Sequence, residues 1–217
     1  MKKIILVVSI VAISLMGNSQ LSINFDIGAS DIELDNLNLN NKINEINISK
    51  QLMSGNFDFY VNYKNYLLDM EMIIGHAYDE NSTIKSELSS FVTSYYLGML
   101  FNVNKSYKIS LLAGYTFGGF SSTLYKKNSQ NINLITIGSS TGVLKLKNRA
   151  DFFSAKIKSE LFNVLNLSIT YNFSLSNNQW KGYYGEVSNL PKDNFNNLII
   201  SLNYKIFSRE IKSKATE

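Results

Sequence analysis

Hydrophobic and polar residues alternate with a period of two over much of the chain. The clearest example is residues 165–176, where the odd positions from Leu165 to Leu175 are apolar and the even positions from Asn166 to Ser176 are polar. Successive side chains of a β-strand point to opposite faces, so this pattern predicts a strand with one apolar and one polar face. Fully extended, the segment spans about 40 Å, which suits a tilted membrane strand.

Seven further segments alternate in the same way and complete a set of eight predicted strands. They are residues 21–27, 56–64, 66–78, 90–103, 107–118, 151–162 and 198–206. The connections are alternately short and long: short near residues 64–65, 104–106 and 163–165, and long over roughly 28–55, 79–89, 119–150 and 177–196. Short turns at one end, long loops at the other and an even number of strands are typical of outer-membrane barrels.

The predicted fold is all-β, an eight-stranded antiparallel up-and-down transmembrane β-barrel with short periplasmic turns and long extracellular loops. A sheet that contacts lipid has to close, because an open edge is not tolerated inside a bilayer. The alternative is a soluble exported barrel or sandwich with its apolar face packed inside. Large aromatic residues on the apolar faces favour the membrane barrel. Candidates for its interfacial girdle are Tyr63, Tyr107, Tyr171 and Tyr204.

Two additional segments, 132–137 and 142–147, raise the possibility of ten strands. Each has about six residues, fewer than the roughly 9–11 that a membrane strand needs. We therefore predict that they form a hairpin above the membrane, within the third long loop.

The N-terminus predicts export. A basic start and an apolar run from Ile4 to Met16 precede the small residues Gly17 and Ser19, as in a secretory signal. The apolar run is shorter than a membrane-spanning helix, and an uncleaved anchor is the alternative. We predict a signal peptide over 1–19 with cleavage near Ser19–Gln20, a barrel over 20–207 and a short periplasmic tail over 208–217.

The composition excludes several kinds of functional site. The 217 residues include no Cys and one His, which excludes disulfides, thiolate metal sites and a second imidazole for relay chemistry. No cofactor or metal site is predicted. The net charge is +4, and removing residues 1–19 takes away Lys2 and Lys3 and leaves +2. No basic run remains that would indicate nucleic acid as a partner.

The alternating segments, the Ser19–Gln20 cleavage site and the last strand from Leu198 to Phe207 resemble the small eight-stranded outer-membrane barrels of Gram-negative bacteria. The chain is most similar to the generic outer membrane β-barrel (porin-like) proteins of the Bacteroidota. This resemblance implies outer-membrane lipid and lipopolysaccharide as partners. It also implies insertion by the barrel-assembly machinery, which reads a terminal strand ending in an aromatic residue. One departure is that Ser208 to Glu217 follow Phe207.

The polar faces carry charges that are predicted to point into the lumen. Besides Asp26, the predicted network comprises Asp58, Asp69, Glu71, Lys108, Lys156, Lys158, Glu160 and Lys205. Eight strands leave an interior that side chains just fill, and buried charges need partners. We expect Lys108 to pair with Glu160 across adjacent strands. We also expect Asp69 and Glu71 to meet Lys156 and Lys158. A narrow ion-conducting path is the alternative.

The loops contain two candidate binding groups. Exposed aromatic anchors in the fourth loop are Trp180, Tyr183 and Tyr184; membrane-surface girdle positions are the alternative for them. A basic group in the third loop comprises Lys126, Lys127, Lys145, Lys147 and Arg149. Such a group is able to hold the phosphates of lipopolysaccharide, and a solvated loop face is its alternative.

No catalytic residue is predicted. His76 lies near Asp79 and Glu80 at the rim of the third strand, but it shares a face with Met72 and Ile74 and has no Ser two residues further on. A nucleophilic Ser needs an imidazole within hydrogen-bond reach and an acid that orients it. The predicted function is a non-enzymatic barrel with a polar, plugged interior and a structural or surface-interaction role. A small pore or conduit is the alternative.

Overall fold

The computed structural model describes residues 19–34, 49–80, 84–104, 107–126, 132–134, 137–139, 143–161, 164–182 and 190–211. It contains eight long strands: β1 (Ser19–Ile32), β2 (Gln51–Tyr63), β3 (Tyr66–Glu80), β4 (Ile84–Asn102), β5 (Tyr107–Lys126), β6 (Val143–Leu161), β7 (Leu165–Ser174) and β8 (Asn197–Ile211). The part of the chain described by the structure includes no helix long and apolar enough to cross a membrane.

The eight strands form a closed ring. Each strand pairs antiparallel with the next one in the chain, and β8 also pairs with β1. The closing pair runs from Ser19 opposite Ile211 to Ile32 opposite Asn197. The predicted all-β, eight-stranded, up-and-down barrel is confirmed.

Three short connections lie at one end of the barrel, the turn end. The opposite end, the loop end, has three long connections and one short connection, residues 81–83. At the turn end, Lys64 and Asn65 join β2 to β3, and Lys64 has a φ of 55°. A positive φ is what a tight hairpin turn requires. At the loop end the connections cover residues 33–50, 81–83, 127–142 and 175–196.

At the loop end, β4 and β5 are longer than their alternation predicts. β4 begins at Ile84 and β5 ends at Lys126, whereas the pattern predicts strands that begin at residue 90 and end at residue 118. The predicted long loop over 79–89 is therefore wrong, because most of it is paired strand.

The predicted hairpin of 132–137 with 142–147 is also wrong. Residues 143–147 are the first part of β6, and residues 132–134 pair with 137–139. At the other end of the chain, β8 continues to Ile211, four residues past Phe207. The predicted signal peptide, apart from Ser19, and residues 212–217 of the predicted tail lie outside the described residues.

The apolar side of the sheet changes along the strands, as β6 illustrates. Towards the turn end, Ile157 faces outward and Lys156 is buried inside. Towards the loop end, Leu146 is buried inside and Lys147 is exposed outside. The strands thus enclose an apolar interior in the loop-end half. In the turn-end half the interior is charged and polar beside a small cluster of buried hydrophobic residues, which are Tyr60, Leu67, Tyr96, Leu100 and Leu112.

Candidate functional site

A buried ion-pair cluster fills the middle of the lumen. The Lys156 ammonium on β6 lies 3.0 Å from Asp69 Oδ2 and 3.3 Å from Glu71 Oε2, both on β3. All three side chains are at most 3% exposed, so each charge depends on the others for its solvation. Asn56 Nδ2 donates a further hydrogen bond to Glu71 Oε1 at 3.1 Å.

A second buried pair lies next to the first. Lys158 Nζ donates to Asp58 Oδ2, which also accepts a hydrogen bond from Asn24 Nδ2 at 3.0 Å. The expectation that Lys158 meets Asp69 or Glu71 is wrong, because its ion-pair partner is Asp58. Strand tilt and stagger decide which side chains meet across a barrel, and alternation within a strand carries no information about either.

Two lysines share one carboxylate near the turn end. Glu160 Oε1 lies 2.9 Å from Lys205 Nζ and 3.8 Å from Lys108 Nζ. Lys108 is directly opposite Glu160 in the β5–β6 pair, as expected from the sequence. These side chains are partly exposed, so the cluster forms the solvated mouth of the charged network.

Two tyrosines complete the network through contacts with its lysines, and the sequence pattern did not predict these contacts. The Lys156 ammonium lies 5.0 Å from the ring centroid of Tyr96, and the Lys158 ammonium lies 4.8 Å from that of Tyr60. Both distances suit cation–π contacts, which are strongest away from water. The feature that could have indicated these contacts is that Tyr60 and Tyr96 occupy inward positions of β2 and β4.

Neutral hydroxyl groups fill the lumen beside the charges. Thr116 Oγ1 donates to Ser94 Oγ at 2.9 Å, and Ser154 Oγ donates to Thr116 Oγ1 at 2.6 Å, so one chain of hydroxyls crosses β4, β5 and β6. On the other side of the lumen, Asn203 Nδ2 donates to Asp26 Oδ2. In the turn-end half, a cavity of about 20 Å³ is lined by Tyr60, Lys158, Glu160 and neighbouring residues. That volume holds about one water molecule.

An apolar plug closes the loop-end half. The Phe120 and Phe195 rings stack with centroids 4.6 Å apart, and the Trp180 ring lies 5.5 Å from Phe195. Trp180 Nε1 donates to Asp193 Oδ2 at 2.7 Å. The side chains of this plug are all buried: Ile32, Leu34, Leu52, Ile73, Ala77, Leu88, Val92, Phe120, Leu124, Leu144, Leu146, Ala150, Phe152, Trp180, Leu190, Phe195 and Ile199.

The prediction that Trp180 is an exposed binding anchor is therefore wrong. Only 1% of this residue is exposed, because its ring packs into the plug and its indole N–H is satisfied there. Tyr183 and Tyr184, predicted with it, lie outside the described residues.

The predicted basic group is divided by the structure. Lys145, Lys147 and Arg149 take alternate positions on β6 and face outward above the plug, with Lys147 and Arg149 exposed. Lys126 ends β5, and Lys127 lies outside the described residues. Lys181, which the sequence analysis did not single out, pairs with Lys147.

His76 faces outward, and its Nδ1 lies 3.2 Å from Ser89 Oγ. The nearby acid Glu87 is engaged elsewhere: its carboxylate lies 2.8 Å from Lys85 Nζ and accepts a hydrogen bond from Tyr125 at 3.4 Å. The hydrogen bond from Lys85 lowers the pKa of Glu87 below its ordinary value. Among the described residues, the imidazole therefore contacts Ser89, and no carboxylate bonds to it. The described residues contain no cluster of three or more metal-ligating side chains.

No protein-family model matches this chain, and no curated protein matches it. Several solved structures share the barrel architecture. Ail, the attachment invasion locus protein of Yersinia pestis, is 11% identical with a TM-score of 0.49 and is matched over 88% of this chain and 100% of that one. Neisserial surface protein A is 11% identical with a TM-score of 0.43, over 87% and 97% of the two chains.

The outer membrane protease OmpT of Escherichia coli is 11% identical with a TM-score of 0.39, over 88% of this chain and 97% of that one. At such identities and TM-scores the likeness does not extend to function.

Proposed function

We propose that this protein is a non-enzymatic outer-membrane β-barrel whose plugged interior does not conduct and whose extracellular loops serve a structural or surface-interaction role. The observation that supports the proposal is the double filling of the lumen. Paired charges centred on Lys156 occupy the turn-end half, and the apolar plug around Phe195 occupies the loop-end half. An ion would have to break both layers, at the cost of unpaired buried charges and lost packing.

The outward face supports a membrane location. Large apolar side chains such as Leu97, Leu111, Ile157 and Leu202 are about half exposed or more, and such a continuous band would be covered by lipid. In the proposal the chain is exported by its signal peptide into the outer membrane of a Gram-negative bacterium. It is inserted there by the barrel-assembly machinery and contacts lipid and lipopolysaccharide, like the Bacteroidota barrels that the sequence resembles.

Planar-bilayer recording of the refolded chain from Gln20 tests the plugged interior. We expect no conductance steps from protein that migrates as a compact, heat-modifiable band. Steady conductance steps would contradict the proposal. A change in their size or ion selectivity in Lys205→Gln would show that the current passes through the lumen. Lys205 belongs to the solvated mouth, so its substitution should not itself open the core. The second candidate is a small pore. The observation that favours it is the turn-end cavity beside Lys158 and Glu160, which is also lined by Leu67, Leu100 and Leu112.

The non-enzymatic part of the proposal rests on the arrangement around His76. The carboxylate of Glu87 is bonded to Lys85 and Tyr125, and within the described part of the chain no carboxylate orients the imidazole. Expression in a host with a defined lipid A is expected to leave the lipid A mass unchanged. A new lipid A species that disappears in both His76→Ala and Ser89→Ala would establish a lipid-modifying activity instead.

A further inference from the structure

One buried carboxylate of the lumen has no cationic partner. Asp26 on β1 is 0% exposed, and no lysine or arginine in the described part of the chain forms an ion pair with it. Its Oδ2 accepts a hydrogen bond from Asn203, and its Oδ1 has no hydrogen-bond partner. A buried carboxylate is costly unless its charge is compensated, so Asp26 requires either a proton or a bound cation.

The side chains on both sides of Asp26 present further unsatisfied oxygens. Asn56 on β2 and Asn203 on β8 are directly opposite Asp26 in the two strand pairs. The Cβ atoms of directly opposite residues lie roughly 4.5–5.5 Å apart. Both asparagines are fully buried, and the Oδ1 atom of each has no hydrogen-bond partner. A water molecule has two hydrogens to donate, so one water would leave one of these three oxygens unsatisfied.

Two hydroxyl oxygens lie beside the group on its loop-end side. Gly28 is the next inward residue of β1 and is opposite Ser54 on β2 and Ser201 on β8. A Cβ built on Gly28 would lie 2.7 Å from Ser201 Oγ and 3.0 Å from Ser54 Oγ, so the two hydroxyls occupy the space of a side chain there. Asn56 Nδ2 donates to Ser201 Oγ at 3.4 Å and thereby links β2 to β8 across β1.

The charge balance in the middle of the lumen indicates a divalent cation. The buried carboxylates there outnumber the buried ammonium groups by four to two: Asp26, Asp58, Asp69 and Glu71 against Lys156 and Lys158. One divalent cation balances this excess of two negative charges. Ca²⁺ is bound in proteins by hard oxygens, chiefly those of carboxylates and amides. Mg²⁺ loses its water less readily and requires a stricter geometry, so a fully buried site favours Ca²⁺.

We propose that the lumen binds one Ca²⁺ ion at Asp26, with the amide oxygens of Asn56 and Asn203 as further ligands and the hydroxyls of Ser54 and Ser201 beside them. The site differs from a cluster of three or more His, Asp or Glu side chains, which the described residues lack, because all but one of its ligands are neutral. Since the site is buried, the ion enters while the barrel closes, and its binding is coupled to folding. The inference concerns the interior and does not depend on the role of the loops.

Refolding with and without the ion tests the site. The chain from Gln20 is refolded into phosphocholine vesicles with EGTA, CaCl₂ or MgCl₂, each salt at about 5 mM, above the dissociation constants of weak calcium modules. The readouts are the calcium retained per barrel on a chelating resin and the urea midpoint from the emission of Trp180, the single tryptophan. Wild type is expected to retain about one Ca²⁺ and to have a higher midpoint in CaCl₂ than in EGTA or MgCl₂.

Asp26→Asn is expected to lower calcium retention by about tenfold or more and to remove the difference between the CaCl₂ and EGTA midpoints. In EGTA it should be at least as stable as wild type, because it removes an uncompensated buried charge. Asn203→Leu, which removes a second ligand oxygen at similar volume, should also lose the ion. Asp151→Asn is the charge-matched control: this outward carboxylate accepts a hydrogen bond from Tyr115 at 2.8 Å, and its loss should leave retention unchanged.

Three results would overturn the calcium site. Equal loss of retention in Asp26→Asn and Asp151→Asn would assign the calcium to surface carboxylates. Equal stabilisation by MgCl₂ and CaCl₂ without a retained ion would indicate a general effect of divalent salt. A wild type that ignores calcium but becomes more stable from about pH 8 to about pH 5, when Asp26→Asn does not, would show that Asp26 holds a proton instead.

Discussion

The two halves of this barrel have opposite arrangements of apolar and polar side chains, although the same strands run through both. In the turn-end half the outward side chains are apolar and the interior holds ion pairs such as Lys156 with Asp69. In the loop-end half the outward side chains are polar and the interior is an apolar plug that contains Phe195. The reversal occurs near Phe152 and Phe153 on β6, which are respectively buried inside and exposed outside.

The difference between the halves follows from what surrounds each of them. In the proposed membrane location, lipid around the turn-end half makes apolar side chains favourable outside, so the interior can be polar where its charges are paired. The loop-end half would be surrounded by water instead of lipid, so its apolar side chains are driven inside as in a soluble barrel. The first half therefore depends on electrostatic pairing and the second on packing, and substitutions distinguish the two.

The largest effect is expected from Lys156→Met. It leaves Asp69 and Glu71 buried without their cation, which costs about 3–5 kcal/mol. The measurement is urea unfolding in lipid vesicles, followed by the emission of Trp180, the single tryptophan of the chain. The triple variant Lys156→Met/Asp69→Asn/Glu71→Gln is expected to recover most of the loss, because Lys156 and both of its carboxylate partners are then neutral. An unchanged urea midpoint in Lys156→Met would show that the pairing does not hold this half together.

The next effect is expected from Phe195→Ala in the plug. Loss of its stacking on Phe120 and of its contact with Trp180 leaves a cavity and costs about 3 kcal/mol. Because Trp180 becomes wetter, its emission should also shift to longer wavelength before any unfolding. Phe173→Ala is the matched control: Phe173 is 48% exposed on the outward face, where acyl chains would fill the space in the proposed membrane location. A similar loss in both variants would contradict a packed plug.

An outward arginine distinguishes the two environments directly. Ile157→Arg places a charge on the lipid face and is expected to cost roughly 2–4 kcal/mol in vesicles, the range for the bilayer midplane. Gln51→Arg places the same charge on the outward face of the loop-end half, opposite Asp31, where the cost should be close to zero. If urea midpoints fall equally in the two variants, the boundary that we place near Phe153 is wrong.

The smallest effect is expected from Glu87→Gln on the outer surface. The pKa of Glu87 is lowered by its hydrogen bond with Lys85, so the folded-state carboxylate stabilises the protein above its unfolded-state pKa. This contribution is lost as the pH falls through the lowered value. Wild type should therefore be slightly more stable than Glu87→Gln at pH 7, and their midpoints should converge below about pH 4. A difference between the two urea midpoints that increases as the pH falls would contradict this mechanism.

Part of the charged network followed from the sequence, and part did not. Lys108 and Glu160 were paired correctly because they lie at the same end of neighbouring strands and are directly opposite each other in the strand pair. The partner of Lys158 was assigned wrongly because contacts across the bore depend on stagger. Trp180 was assigned to an exposed loop for a related reason: its environment is formed by side chains from distant parts of the chain.

The loop-end halves of the strands were missed although the signal was present. Between residues 143 and 149, Leu144 and Leu146 alternate with Lys145 and Lys147, which is the expected period with the opposite face apolar. The outward apolar positions that define the predicted strands end where the apolar residues change to the inward face. Periodicity alone does not say which face is inside.

The alternating pattern predicts the number of long strands, their order along the chain and the antiparallel closure. These depend on local alternation and on the lengths of connections, and both are readable along the chain. The tertiary structure decided which charges meet across the lumen, that a plug caps it, and that Lys181 stands beside Lys147. Strand tilt, stagger and the medium around each half set these features, and all three are properties of the closed barrel that no single segment contains.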